Sequence, residues 1–159
     1  MTFTNHLDEC AIDGRVHEIT GEADIATLGT LKLLGRSGEV RTCLTNYFIR
    51  SSQGPISVKL YEAPTVSDPG VLLSPINRNR NSNRSSDTLA YSGATTTGGT
   101  LIYQSVVHEI GGGAHIQGGD AEMPSLFVLK DNTDYVFEVY NSAASTTSIS
   151  FSILWCEEE

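Results

Sequence analysis

The feature that most restricts the fold is a strict two-residue alternation, Ser148-Ile149-Ser150-Phe151-Ser152-Ile153, with apolar side chains at every second position and serines between them. A β-strand turns successive side chains to opposite faces, so this segment can bury one face and wet the other. A helix would put Phe151 on the face opposite Ile149 and Ile153. Ile56-Ser57-Val58-Lys59-Leu60-Tyr61-Glu62 repeats the pattern, with Lys59 on the wet side. Further strands are expected over Thr42 to Arg50, over Leu101, Tyr103, Val107 and Ile110 (fed by the hairpin-like SGATTTGGT), and over Leu126 to Leu129. Tyr135 to Tyr140 and Ser148 to Trp155 read as a terminal hairpin. Residues 25–34 carry a mixed signal: Ile25, Leu28 and Leu31 step like a helix, while Thr27, Gly29 and the β-branched content favour a strand ending at Gly35.

No sustained helical period and no constant-length repeat is present. About eight strands separated by long loops call for a closed or two-layered antiparallel sandwich. The longest irregular stretch is expected from Ala63 to Thr88, punctuated by Pro64, Pro69, Gly70 and Pro75; a second loop holds Gly111, Gly112, Gly113, Gly118 and Gly119. Residues 1–24 show little apolar periodicity and break at Gly14 and Gly21. They are expected to form an irregular acidic arm ahead of one β domain over 25–159.

Composition narrows the function. Charged residues make up only 18% of the chain, the balance being small polar residues of the kind that turns and wet strand faces use. The formal net charge of -9 argues against adsorption to nucleic acid or to an anionic membrane. Six carboxylates, Asp8, Glu9, Asp13, Glu18, Glu22 and Asp24, face a single Arg15 within residues 1–24. MTFTNHLDEC has no basic segment leading into an apolar core, and no apolar run reaches membrane-spanning length, so neither a signal peptide nor a spanning helix is expected and a soluble product is. Cys10, Cys43 and Cys156 are odd in number and widely spaced, which favours buried or idle thiols over a disulfide framework or a structural zinc site.

No motif supports catalysis. His108-Glu109 and His115 lack the spacing of a helical HExxH zinc site, the histidines being seven apart across three glycines. GGGAHIQGG has glycines but no phosphate-loop lysine and no following helix. There is no GxSxG elbow, and the pairs Asp8-Glu9 and Glu157-Glu158 are expected in flexible ends that cannot hold two carboxylates at a fixed separation. The expected product is therefore not an enzyme, with no catalytic residue, no metal site and no cofactor.

One run remains: Asn77-Arg78-Asn79-Arg80-Asn81-Ser82-Asn83-Arg84. Planar guanidinium forks beside adaptable amides suit carboxylates and carbonyls on another protein surface, and without interleaved aromatics they do not suit base stacking. Arg78, Arg80, Arg84, Asn77 and Asn79 are the candidate protein-interface residues, together with Asp8, Glu9 and Asp13 of the acidic arm.

The ordered combination of a Tyr61-Glu62 strand end, a proline-bearing loop, the Asn-Arg run, a Thr-Gly turn, the glycine loop, then Leu129-Lys130 with Asn132-Thr133-Asp134-Tyr135 and a closing Trp155 resembles a family of small virion proteins of tailed bacteriophages, over roughly residues 56–157. The resemblance implies a jelly-roll-like β-sandwich and the role of a capsid decoration (cement) protein: a homotrimer on the outer surface of the virion, bound to the major capsid protein, assembled in the host cytoplasm. The alternative expectation is a tail or receptor-facing module that binds carbohydrate or a host surface, with Tyr91, Tyr103 and the glycine loop lining its site.

Overall fold

The computed structural model describes residues 3–107, 115–118 and 127–158. Helix α1 (Phe3–Ile12) is followed by β1 (Val16–Ile25), β2 (Thr30–Arg36), β3 (Arg41–Ser51), β4 (Ile56–Glu62), β5 (Thr65–Asp68), β6 (Val71–Leu73) and β7 (Ile76–Asn77). Then come β8 (Leu89–Ser92), β9 (Thr95–Thr97), β10 (Thr100–Val107), β11 (His115–Gly118), β12 (Phe127–Val128), β13 (Asp134–Asn141) and β14 (Thr147–Glu158).

The first sheet runs β11-β3-β14-β1-β7, with β12 also on β3; the second runs β10-β4-β13-β2-β8-β6; β5 and β9 make a separate two-stranded ribbon. Every pairing is antiparallel. The long strands follow one scheme. The chain alternates between sheets from β1 to β4, places β10 beside β4, and then alternates again through β11, β13 and β14. Facing orders β11-β3-β14-β1 and β10-β4-β13-β2 are two nested Greek keys, the jelly-roll arrangement. The expected all-β, jelly-roll-like sandwich is what the chain forms.

A single core fills the space between the sheets. Ile149, Phe151 and Ile153 of β14 meet Val58 and Leu60 of β4 and Phe137 and Val139 of β13 in it, while the alternating serines face outward. Gly21 sits opposite Phe151, and a Cβ there would run into the phenyl ring. The β3–β14 ladder shifts register between Leu154 and Trp155, so that Thr45 is the extra residue of a bulge. That insertion lets Leu44 and Tyr47, three positions apart, both point into the core.

Several expectations need correction. The strands over 135–140 and 148–155 exist but are not a hairpin: β13 pairs with β2 and β4, and β14 pairs with β1 and β3 in the opposite sheet. Each has one apolar face, and setting those faces against each other across the core buries both. Asn141, fully buried, pins the crossing: its Nδ2 donates to the carbonyls of Ile25 (2.9 Å), Ala26 (3.2 Å) and Ser145 (2.9 Å), and its Oδ1 accepts from the Ala143 amide at 2.8 Å.

Residues 1–24 are not an irregular arm. Described from Phe3, they hold α1 and nearly all of β1, which lies between β14 and β7 inside the first sheet. The mixed signal over 25–34 resolves into the end of β1, a turn, and the start of β2. The stretch 63–88 contains the short strands β5, β6 and β7. Cys10 and Cys156 are joined in a disulfide that ties α1 to β14, so two of the three cysteines are not idle thiols, and only Cys43 is free, buried, its thiol pushed up by burial. Their spacing of 146 residues hid the pair; β1–β14 pairing brings them together. Glu157 and Glu158 belong to β14, not to a flexible end. Ile110, Leu126, the His108-Glu109 pair and most of the glycine loop lie outside the described residues.

Candidate functional site

The Asn-Arg run turns its amides inward. Asn77, buried on β7, donates through Nδ2 to the carbonyls of Gly14 (2.8 Å) and Arg84 (3.0 Å), and its Oδ1 accepts the Asn79 amide at 2.9 Å. Asn79 donates to the Ile12 carbonyl at 2.6 Å and accepts the Asn81 amide at 3.0 Å. These are side-chain-to-backbone turns, which short amide side chains favour. They seat the loop on the joint between α1 and β1, where Gly14 (φ +69°) leaves no space for a Cβ beside Ser82. Arg78 pairs with Glu18 at 2.7 Å, and Arg84 is half-buried. Arg80 is exposed and makes no hydrogen bond or ion pair with the described residues. Asp8, Glu9 and Asp13 are exposed, Asp13 accepting from Arg15 at 2.9 Å. Of the residues expected at an interface, Asn77 is thus an internal clamp, and Asn79 spends its amide inside the chain.

The far end of the same loop is fixed by Glu157, 1% exposed. Its carboxylate accepts from the Ser86 hydroxyl (2.6 Å), the amides of Asp87 (3.0 and 3.1 Å) and Thr88 (3.0 Å), and the Trp155 indole (3.1 Å). His17, equally buried, stacks near Trp155 with ring centroids 6.2 Å apart and puts Nδ1 3.9 Å from Glu157 Oε2. Serine, histidine and glutamate are together, but not as a triad: the Ser86 hydroxyl donates to Glu157, while His17 Nε2 lies 3.4 Å from the Arg84 carbonyl. The cluster is buried, with His17 1% exposed, and its hydrogen bonds anchor the loop on β14. Nothing in the sequence marked Glu157 as buried, since it reads as the start of an acidic tail.

A broad concavity lies elsewhere, on the outer face of the first sheet. A trough of about 500 Å³ runs across β1, β14 and β3, lined by Glu22, Asp24, Ser148, Ser150, Arg50 and Ser52 among others. The ladder puts Glu22, Ser150 and Arg50 in one row across the three strands, with Asp24 opposite Ser148 in the next. Ser148 donates to Asp24 at 2.5 Å, whereas Glu22 and Arg50 make no hydrogen bond or ion pair with the described residues. Phe48, 37% exposed, stands two residues from Arg50 on the same face. The serine alternation signalled this wet face, but not the neighbours it would have.

The tyrosines suggested for a carbohydrate site do not meet. Tyr103 packs edge-on against Tyr47 (5.8 Å) and Phe127 (6.5 Å), while Tyr91 lies on β8, on the other side of the second sheet from β10. Beside β4, Glu62 accepts from Lys130 (2.5 Å) and Tyr135 (3.0 Å), and the Lys130 hydrogen bond holds its carboxyl below the usual carboxylate range.

No family model matches the chain, and no curated protein matches it. Among solved structures, the Nora virus structure aligns at a TM-score of 0.21 with 10% identity, over 87% of this chain and 56% of that one. A Bacteroides thetaiotaomicron protein described as sugar binding aligns at 0.22 with 10% identity, over 89% and 67%. The KBV activated particle aligns at 0.17 with 12% identity, over 93% of this chain but only 49% of the other. Overlaps this low say nothing about function.

Proposed function

We propose that this chain is a non-enzymatic structural protein of a tailed-phage virion, a cement protein that sits as a homotrimer on the outer capsid surface and clamps neighbouring copies of the major capsid protein. The observation that carries the reading is a braced jelly roll whose second sheet has apolar side chains exposed on both edge strands. Val71 and Leu72 on β6 are 72% and 58% exposed, and Leu101 and Val106 on β10 are 44% and 58% exposed. Edge strands with such side chains are a liability for a protein that stays alone in water, and an asset for one that meets partners side by side. The ordered sequence pattern over 56–157 supports the virion placement, and a disulfide suits a particle surface. A trimer holding several shell subunits multiplies weak contacts through effective concentration. Arg80, Asp8, Glu9 and Asp13, all exposed, remain available for such contacts.

The test is native mass spectrometry of the purified chain, followed by binding to capsids stripped of decoration. A trimer that binds capsids is expected, and Val71→Asp with Leu72→Asp should yield a monomer with an unchanged far-ultraviolet spectrum. A chain that stays monomeric at every concentration and ignores capsids refutes the proposal.

A further inference from the structure

The trough on the first sheet is built unlike an ordinary solvated face. Glu22 and Arg50 stand at the two ends of one ladder row with Ser150 between them, which sets them about 10 Å apart, two strand spacings, and leaves both without a partner among the described residues. Opposite charges on one face usually find each other or a neighbour; these stand on either side of β14 with no ion pair between them. The floor between them consists of hydroxyls, Ser148, Ser150 and Ser52, each able to donate and accept. Asp24 uses one oxygen on Ser148, and its other oxygen makes no hydrogen bond with the described residues. An apolar ring, Phe48, borders the row. The volume of about 500 Å³ falls within the span typical of small-ligand sites.

We propose that this trough binds a neutral saccharide. A sugar hydroxyl both donates and accepts, so adjacent hydroxyls of one ring can donate to Glu22 and Asp24 while those on its far side accept from the Arg50 guanidinium. The serines complete the pattern, and Phe48 offers an apolar surface to the C–H face of a neighbouring ring. Two carboxylates against one guanidinium leave the trough net negative, which selects against sialylated and uronate-bearing glycans. The site is distinct from the β6 and β10 edges assigned to protomer and capsid contact, so a particle would keep it exposed and could use it to hold a glycosylated surface.

The experiment takes the full chain in its native oligomeric state to an array of neutral and acidic glycans, with affinities then measured by titration calorimetry. Binding confined to neutral glycans is expected. Glu22→Gln and Arg50→Ala should each weaken it about tenfold or more, the scale of losing a hydrogen bond to a charged group, without changing the melting temperature or capsid binding. Both positions are outward-facing, so folding should survive. Absence of neutral-glycan binding at millimolar concentration, binding only to acidic glycans, or affinity indifferent to both variants would each overturn the proposal. So would loss of capsid attachment in Glu22→Gln or Arg50→Ala, which would make the trough a capsid contact instead. Because capsid binding is read separately, failure here leaves the cement reading standing, and the reverse also holds.

Discussion

Glu157→Ala tests whether a single buried carboxylate fixes the long loop. Removing it withdraws the acceptor from four donors: the Ser86 hydroxyl, the Asp87 and Thr88 amides and the Trp155 indole. They do not lose equally. Asp87 is exposed and its amide can turn to water, and the Ser86 hydroxyl can rotate. Thr88 N–H and Trp155 Nε1–H are buried with Glu157, and their remaining neighbour is Ser86 Oγ, at 3.1 and 3.2 Å, which cannot fully serve both. At about 1–3 kcal/mol for each buried donor left unpaired, less what Ser86 recovers, the expected loss is about 2–4 kcal/mol. For a chain of this length that lowers Tm by about 5–15 °C. Glu157→Gln keeps one carbonyl oxygen for the Thr88 and Trp155 donors and should lose about half as much. The assay is urea denaturation with the disulfide intact, paired with amide hydrogen exchange, in which Asp87 and Thr88 should lose protection ahead of the β14 core. A loss below about 1 kcal/mol, or unchanged protection at Thr88, would refute the anchoring role.

Two further outcomes follow from other contacts. Cys10→Ser, or reduction of the native chain, removes a cross-link spanning 146 residues and should lower stability by about 2–5 kcal/mol in denaturant titrations, with α1 released first in hydrogen exchange. Because the Lys130 hydrogen bond depresses the Glu62 pKa in the folded state, its contribution is present above the unfolded carboxylate pKa and is lost as pH falls through the folded value; Glu62→Gln should therefore lower stability at neutral pH, change little at strongly acidic pH, and so flatten the acid side of the stability–pH curve measured by urea denaturation.

The strands that were legible from sequence are those whose pattern is local. Ile56 to Glu62 and Ser148 to Trp155 alternate because each has one dry and one wet face; the first coincides with β4, and the second lies within β14, which runs on to Glu158. The strand β1 was hidden because its outward face carries Glu18, Thr20, Glu22 and Asp24, while inward Gly21 and Ala23 supply little apolar signal. Gly21 is small because Phe151 from another strand fills its place, a reason that lies 130 residues away in the chain. Similarly, the Asn-Arg run has the composition of an outward-facing surface, but an amide's preference for solvent or backbone is settled by which carbonyls come near, and the pairing of β7 with β1 brings Asn77 and Asn79 to those of Gly14 and Ile12.

What the sequence by itself determined is periodicity, and with it the β class, the wet and dry faces and the low helix content, since the two-residue repeat of a strand is written in consecutive side chains. Only the tertiary structure decided which faces meet. It placed β13 and β14 in opposite sheets, joined Cys10 to Cys156, buried Glu157 under a loop 70 residues away, and set Glu22, Ser150 and Arg50 in one row. Strand adjacency depends on closing long loops around a shared core, and that energy belongs to no single segment.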